Sequence, residues 1–500
     1  MRADLLIRAA AVFDVPGADT VAVRSGRIAG VGSWEELAGL IQDGTRVLEF
    51  PKGVILPGFV DAHTHFLRVG LERVWYIDLG PARSLDEALE LIRQGAEAVE
   101  GEWVLGRGWD ESRWEDGVTL KRVHLDRALP DRPCCAIRVD GHLCICNSRA
   151  LERLGIGPGS LVDPERGELR EAAVEEALRR VPLEPEVLLD AVAASSELHG
   201  ELGITAAADM GTEVEHIRAY KEAARRGTLK TRLFLYLPWR NRRELAELGS
   251  GRETEGGLVR VMGLKLFADG SIGAHTAALT TPYRDTGDVG LLLLSQAELS
   301  RAFREARELG VQLAVHAIGN RAVAEVLAGA EEAGVSPAER HRIEHLELLP
   351  PDGARRMARL GLIASMQPNF VVNWSGPGKL YEERLGAGRD RSIDPHRELF
   401  EAGIPLAFGS DGMPPGPLYG LRGAITPPHP LQRLPPREAI RAYTVGGAYS
   451  LFADEEFGEI APGKAADLVV LSGDPRREPL GGIRVELTLL GGKIIFQRCG

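Results

Sequence analysis

Eight short apolar segments separated by helical stretches constrain the fold of this 500-residue chain more than any other feature. The segments are VILPGFVDAH (54–63), GITAAADM (203–210), TRLFLYLPW (231–239), VMGLKLFADG (261–270), QLAVHAI (312–318), RIEHLE (342–347), GLIASMQP (361–368) and PLAFGSD (405–411). Stretches between them, such as AELSRAFREARELG, carry apolar residues at helical spacing and end on glycine, the usual C-terminal stop. Alternating strands and helices predict parallel pairing, and eight such units predict an α/β fold, the (β/α)8 TIM barrel.

The remaining parts of the chain predict two additions to this barrel. Well over a hundred residues separate the first two strands, which is too long for an ordinary connection and predicts an inserted subdomain at about 70–200. Both chain ends contain short apolar strands with glycine turns, and neither is long enough to bury its apolar face alone. We therefore expect residues 1–53 and 455–500 to form one small β domain beside a barrel of residues 54–454.

Composition excludes several classes of protein. The net charge of −12 disfavours binding to nucleic acid, because phosphates require clustered positive charge. No apolar run approaches the roughly 20 residues of a membrane span, and Asp4, Arg8 and Asp14 interrupt any signal-peptide core at the N-terminus. We expect a cytoplasmic protein that acts on a small molecule, with no nucleic-acid or membrane partner. The pattern leaves a homo-oligomer open.

Four of the five cysteines cluster in RPCCAIRVDGHLCICNS, as Cys134, Cys135, Cys144 and Cys146. A zinc knuckle usually presents its cysteines as C-x2-C pairs, whereas here two are adjacent and two form C-x-C. Free cysteine is among the most frequently buried residue types. We therefore interpret these residues as buried strand positions.

Polar residues at the ends of the predicted strands indicate a metal centre, because the chemistry of such barrels lies at the C-terminal ends of their strands. The first strand ends on His63 and His65, which alternation turns to the same side, so that both imidazoles can approach one ion. Alone, this H-x-H would fit a surface pair equally well. Strands five and six carry His316 and His345, and strand eight ends on Asp411. Four of only twelve histidines thus fall at strand ends, which favours a metal centre.

Strand four carries Lys265, in a chain with eight lysines and fifty-two arginines. Burial between Leu264 and Leu266 would disfavour the ammonium form, and a neutral amine can react with carbon dioxide to give a carbamate. A carbamate is an anionic ligand with two oxygens that could bridge two metal ions. The alternatives are a lysine that extends to solvent at the barrel mouth or a charge partner for Asp269.

The strand-end residues, together with several longer motifs, resemble the amidohydrolase superfamily and within it amidohydrolase family 3, the branch that includes N-substituted formamide deformylases. The motifs are LPGFVDAHTH, GRGWDESRW, HLDRALPDRPC, VDGHLCICNSRAL, DGSIGAHTAAL, VHAIGNRAV, SMQPNF, the SD of strand eight and APGKAADLVVL. The resemblance covers essentially the whole chain and implies a barrel with a composite β domain and a divalent ion, most often zinc. Asn320 stands where that branch usually has aspartate, which leaves the substrate open.

Imidazoles and carboxylates around a barrel mouth suit Zn²⁺, which lowers the pKa of bound water from 15.7 to about 7. One ion would be held by His63, His65 and Asp411, and a second by carboxylated Lys265 with His316 and His345. An unmodified Lys265 would favour a single ion. Asp411 is the candidate general base, which takes a proton from the attacking water and passes it to the leaving nitrogen. Its alternative role is to orient a metal-bound histidine.

Five further residues in the shared motifs are candidates for substrate contact, with a structural role equally open for each. They are His142, Trp109, Asp110, Asp269 and Gln367. The sequence as a whole predicts a metal-dependent hydrolase that cleaves a carbon–nitrogen bond in an amide, an N-formyl group or a cyclic amide. The alternatives are a deaminase of an amidine-like substrate and a non-catalytic scaffold that has lost its metal.

Overall fold

The computed structural model describes residues 2–99, 101–115, 118–139, 141, 143–159, 161–170, 172–248 and 257–498. The chain divides into two compact units, one of residues 1–66 with 196–500 and the other of residues 67–195. None of the helices among these described ranges combines the length and apolar character needed to cross a lipid bilayer.

The elements are numbered in chain order. The strands are β1 (Leu5–Val12), β2 (Thr20–Arg24), β3 (Arg27–Gly32), β4 (Arg46–Pro57), β5 (Phe59–Thr64), β6 (Ile77–Asp78), β7 (Val104–Trp109), β8 (Cys134–Arg138), β9 (Leu143–Cys146), β10 (Val162–Asp163), β11 (Glu168–Arg170), β12 (Ile204–Met210), β13 (Arg232–Pro238), β14 (Val259–Phe267), β15 (Gln312–Ala317), β16 (Arg342–His345), β17 (Ile363–Met366), β18 (Leu406–Phe408), β19 (Leu468–Leu471), β20 (Val485–Leu490) and β21 (Lys493–Gln497). The helices are α1 (Trp34–Leu37), α2 (Phe66–Val74), α3 (Leu85–Ala98), α4 (Arg122–Ala128), α5 (Ser148–Leu154), α6 (Ala172–Arg180), α7 (Pro185–Glu201), α8 (Val214–Arg226), α9 (Arg242–Leu248), α10 (Gln296–Leu309), α11 (Asn320–Ala333), α12 (Gly353–Leu360), α13 (Pro368–Trp374), α14 (Leu380–Leu385), α15 (Ala387–Asp390), α16 (His396–Glu401), α17 (Pro417–Ile425), α18 (Pro436–Ala442) and α19 (Val445–Ser450).

The predicted (β/α)8 barrel is confirmed. Its eight strands lie in the order β18-β17-β16-β15-β14-β13-β12-β5, and every neighbouring pair is parallel. The two end strands meet where the amides of Ser410 and Asp411, just after β18, donate to the carbonyl of His63 in β5 at 3.0 and 2.7 Å. Helices α10 and α11 end on Gly310 and Gly334 in the left-handed conformation, as the sequence pattern predicts.

Strands from both chain ends form one seven-stranded sheet, in the order β21-β20-β19-β4-β1-β2-β3. One boundary differs from the sequence prediction, which placed the start of the barrel at residue 54. Residues 54–57 belong to β4, pair with β19 and complete the terminal sheet, whereas the barrel strand begins at Phe59. The apolar run VILPGFV therefore belongs to two sheets, first the terminal sheet and then the barrel. The hydrophobic pattern alone does not show that the boundary between them lies at Gly58.

The unit of residues 67–195 occupies the position in the sequence where we expected an insertion. Its sheet has the order β10-β11-β9-β8-β7-β6, with parallel pairing among β6, β7 and β8 and antiparallel pairing from β8 onward. Helices α3 and α4 supply Ile92 and Leu125 to a buried core that also contains Trp109 and Cys134. This unit therefore has a hydrophobic core of its own.

Candidate metal centre and active site

Three of the predicted ligands converge at the mouth of the barrel. His65 Nε2 lies 3.0 Å from Asp411 Oδ1, and His63 Nε2 lies 3.8 Å from the same oxygen. One potential ligand atom of each residue falls within 4.8 Å of the other two. Because β5 and β18 are the strands that close the barrel, residues nearly 350 positions apart in the sequence meet at one point.

A buried carboxylate fixes the orientation of His63. The Nδ1 of His63 donates to Glu344 Oε2 at 2.6 Å, and both side chains are excluded from solvent. Burial lowers the pKa of His63 to about 4, so the ring is neutral at pH 7. The His63 ring therefore carries its proton on Nδ1, and its Nε2 lone pair faces Asp411. A carboxylate–histidine–metal arrangement requires this orientation.

Glu344 is in turn held by Arg342, which is also completely buried. The guanidinium donates to the carboxylate at 2.7 and 3.0 Å, to the Ala62 carbonyl at 2.6 Å and to Ser365 Oγ at 2.7 Å. Burial by itself raises the pKa of Glu344, but Arg342 and His63 outweigh it and hold this pKa well below its usual range. The carboxylate therefore stays ionised beneath the centre.

The Arg342–Glu344 pair is not among the residues predicted from the sequence. Both residues lie in RIEH, where the prediction names only His345 because histidine is the commoner metal ligand. The available signal was two opposite charges two residues apart in a strand of only four residues, all of which are buried. Alternation places both side chains on the same face of the strand, so the pair could have been inferred.

His345 and His316 lie beside the first three ligands. The centroid of the His345 ring is 4.8 Å from that of His63 and 4.4 Å from that of His316. His345 Nδ1 donates to Gln367 Oε1 at 2.7 Å, which leaves the Nε2 lone pair available. His316 Nε2 donates to the Gly270 carbonyl at 3.0 Å, so this nitrogen carries the proton and Nδ1 carries the lone pair.

Lys265 projects from β14 into the same region and is 3% exposed. Its ammonium lies 5.2 Å from the centroid of the Phe267 ring. Burial lowers the pKa of Lys265 to about 8, despite the opposing charges of Glu344 and Asp411. A substantial fraction of neutral amine therefore exists at neutral to mildly alkaline pH, which is the form that reacts with carbon dioxide.

The backbone at the barrel mouth adopts conformations that most residues avoid. His345 and Asp411 have φ angles of 71° and 52°, in the left-handed region that costs free energy for residues with a side chain. Gly409 passes so close to β5 that a Cβ there would lie 2.3 Å from the His63 amide nitrogen. Asp61 holds this junction by accepting hydrogen bonds from Ser410 N and Oγ at 2.9 and 2.5 Å.

The predicted substrate contacts are distributed differently from the metal ligands. Asp269 is buried and accepts from the amides of Ala278, Ile318 and Gly319 at 2.8–3.0 Å, so it connects loops at the barrel mouth. Burial raises the pKa of Asp269 to about 7. Gln367 contacts His345 as described above, which makes it a positioning residue for that ring.

The other three candidates lie in the unit of residues 67–195. Trp109 is completely buried and its indole donates to the Ala136 carbonyl at 3.0 Å, which favours the structural role. Asp110 lies 3.8 Å from Arg138 and is partly exposed. His142 lies outside the described residues.

The donor set fits a divalent metal ion. His63 Nε2 is a buried nitrogen with no hydrogen-bond partner among the described residues, and such an atom is costly unless something binds it. Two imidazoles and one carboxylate are ligands typical of zinc and similar ions. His63, His65 and Asp411 would hold the ion, with His316, His345 and Lys265 beside it.

The chain is thus a (β/α)8 barrel with a cluster of potential metal ligands at its mouth. A sequence model of the amidohydrolase family matches residues 53–496, and the chain belongs to that family, as its motifs predicted. It is 30% identical to the putative amidohydrolase YtcJ of Bacillus subtilis, over 96% of each sequence. It is 27% identical to the N-substituted formamide deformylase of Arthrobacter pascens, over 97% of this chain and 96% of that protein.

A solved structure also matches the chain along nearly its whole length. It is the crystal structure of an uncharacterized metal-dependent hydrolase from Pyrococcus horikoshii, with a TM-score of 0.83 and 26% identity. The match covers 96% of this chain and 99% of that one. Family and fold together make the protein a metal-dependent hydrolase.

Proposed function

We propose that the protein hydrolyses a carbon–nitrogen bond in a small amide, with an N-substituted formamide as the first substrate class to test. The observation that carries this proposal is the convergence of His63, His65 and Asp411, whose potential ligand atoms lie within 4.8 Å of one another. Support for the substrate class comes from the whole-length similarity to the formamide deformylase of Arthrobacter pascens. We propose Zn²⁺ as the ion.

The bound ion would supply water that ionises near neutral pH and would polarise the substrate carbonyl. Asp411 is suited to move protons because it is ionised. Burial alone would raise the pKa of Asp411, but its hydrogen bond with His65 outweighs burial and holds this pKa well below its usual range. Its Oδ1 accepts the proton of the attacking water and returns it to the departing nitrogen, which leaves as a neutral amine.

The remaining side chains position the reacting groups. Glu344 holds the proton of His63 on Nδ1, and Gln367 does the same for His345, so both rings present Nε2 to the centre. We propose that Lys265 is carboxylated and, with His316 and His345, holds a second ion. Its burial and lowered pKa support this modification.

The test uses purified protein loaded with Zn²⁺ and a panel of N-substituted formamides, cyclic amides and amidines. Release of formate with the matching amine would support the formamide, and a carboxylate product from another amide would support the broader class. Ammonia from a ring carbon would instead identify a deaminase. Absence of bound metal after purification, together with no effect of a chelator, would support the scaffold and overturn the proposal.

Site variants connect the reaction to the cluster. His63→Ala and Asp411→Ala should each abolish turnover while the circular dichroism spectrum is retained. His124→Ala is the matched control, because this histidine lies on α4 and outside the cluster. Full activity in either of the first two variants would contradict the assigned roles. Carboxylation of Lys265 is checked by a crystal structure of the metal-loaded protein grown with bicarbonate.

A further inference from the structure

The second cluster of potential metal ligands lies far from the barrel mouth in the sequence, on the sheet of the unit of residues 67–195. Cys135, Cys144 and Cys146 each offer a sulfur within 4.8 Å of the other two. The Sγ atoms of Cys135 and Cys146 are 3.3 Å apart, and those of Cys144 and Cys146 are 3.9 Å apart. All three are completely buried.

Strand geometry accounts for this convergence. Cys144 and Cys146 are two residues apart in β9 and therefore project from the same face. Cys135 stands directly opposite Cys146 in the antiparallel pairing of β8 with β9, so it projects from that face too. Cys134 alternates to the other face, where it packs in the hydrophobic core with Ala136 and Ile145. One cysteine is thus an ordinary core residue, whereas the other three contact one another.

The separations have the size that a metal ion requires. A cation equidistant from three sulfurs at these distances would lie about 2.0–2.4 Å from each of them, in a range that includes a metal–thiolate bond length. Such an ion would lie close to the plane of the three sulfurs. Structural zinc almost always has four ligands, whereas soft sulfur ligands in a low coordination number suit copper(I).

We propose that Cys135, Cys144 and Cys146 form a trigonal binding site for a soft monovalent cation, copper(I), separate from the centre at the barrel mouth. Binding displaces thiol protons to solvent, with no change in the oxidation state of sulfur or copper. Since the three ligands come from two paired strands, the ion would join β8 to β9 within the core of this unit.

The test is an anaerobic titration of the full-length protein with tetrakis(acetonitrile)copper(I) against a chromogenic copper(I) chelator. X-ray absorption at the copper edge then identifies the ligand atoms. We expect one copper per chain with a shell of three sulfurs. Copper surrounded only by nitrogen and oxygen, or copper wholly lost to the chelator, would overturn the proposal without bearing on the hydrolase function.

Two variants make the assignment specific. Cys144→Ala should lose the sulfur-bound copper, and Cys134→Ala, the matched control on the opposite face, should keep it. Equal loss in both variants would refute a defined three-sulfur site. If Cys144→Ala does not fold, the X-ray absorption spectrum of the copper-loaded unmodified protein still decides whether the ligands are three sulfurs. Thiol counts of the freshly purified, denatured protein must give all five cysteines, because a count of three would show a disulfide in place of the site.

Discussion

Replacing Glu344 with glutamine removes the negative charge that joins His63 to Arg342, while the side chain keeps its shape. The amide oxygen can still accept from one neighbour, but Arg342 is left as a buried cation without a counter-charge. Breaking one side of a buried ion pair costs roughly 3–5 kcal/mol. Since the amide retains one hydrogen bond, we expect Glu344→Gln to lower the free energy of unfolding by about 3 kcal/mol.

The same change weakens metal binding by a separate route. Without the carboxylate, the Nδ1–H tautomer of His63 is less favoured and its Nε2 is a weaker ligand. Removing such an outer carboxylate typically reduces metal affinity by about 10–100-fold. Competition with a chromogenic chelator measures the affinity, and guanidinium unfolding of the metal-free protein measures the stability.

Asp467→Asn is the matched control. Asp467 is a buried carboxylate that accepts from Arg232 at 2.6 and 3.2 Å, but it immediately precedes β19, away from the predicted ligands in the sequence. This variant should lose comparable stability and retain metal affinity. If Glu344→Gln binds metal within about a factor of two of the unmodified protein, the assigned positioning role is wrong. Equal affinity losses in the two variants would instead indicate a general effect of destabilisation.

Three further predictions concern the barrel junction, a buried histidine and the metal itself. Gly409→Ala should lower stability by about 1–3 kcal/mol and weaken metal binding, because its Cβ would meet the His63 backbone; Gly388→Ala, with open space around it, is the control in the same unfolding assay. Burial lowers the pKa of His396 from 6.5 to about 4, and its Nδ1 donates to the Gln432 carbonyl. The stabilisation from burying neutral His396 is therefore complete above pH 6.5. The free energy of unfolding should fall by about 3 kcal/mol as the pH drops to 4, because only the unfolded chain then binds the proton. His396→Phe should flatten this part of the pH–stability curve, and an unchanged slope would contradict the assignment. Removal of the metal by a chelator should lower the melting temperature, and Zn²⁺ should restore it; identical melting curves would argue against a bound ion in the folded state.

The strand–helix alternation predicted the barrel from sequence because parallel strands with buried faces need a long apolar run and a covering helix at each step. Glycine after AELSRAFREAREL marked the end of α10 because Gly310 adopts a positive φ that other residues avoid. The boundary at Gly58 was not predictable in the same way. Residues 54–57 and the strand from Phe59 are equally apolar, and only the pairing partners show that they belong to different sheets.

The sequence by itself determined the barrel and the types of residue at its strand ends, since both follow from local periodicity and from the position of polar groups after apolar runs. Only the tertiary structure decided which of these groups meet. The contact of Glu344 with His63, the approach of Asp411 to His65 and the three-sulfur cluster depend on strand register and closure. Strand register and barrel closure are set by contacts between residues that are distant in the chain, and the local sequence pattern holds no information on those contacts.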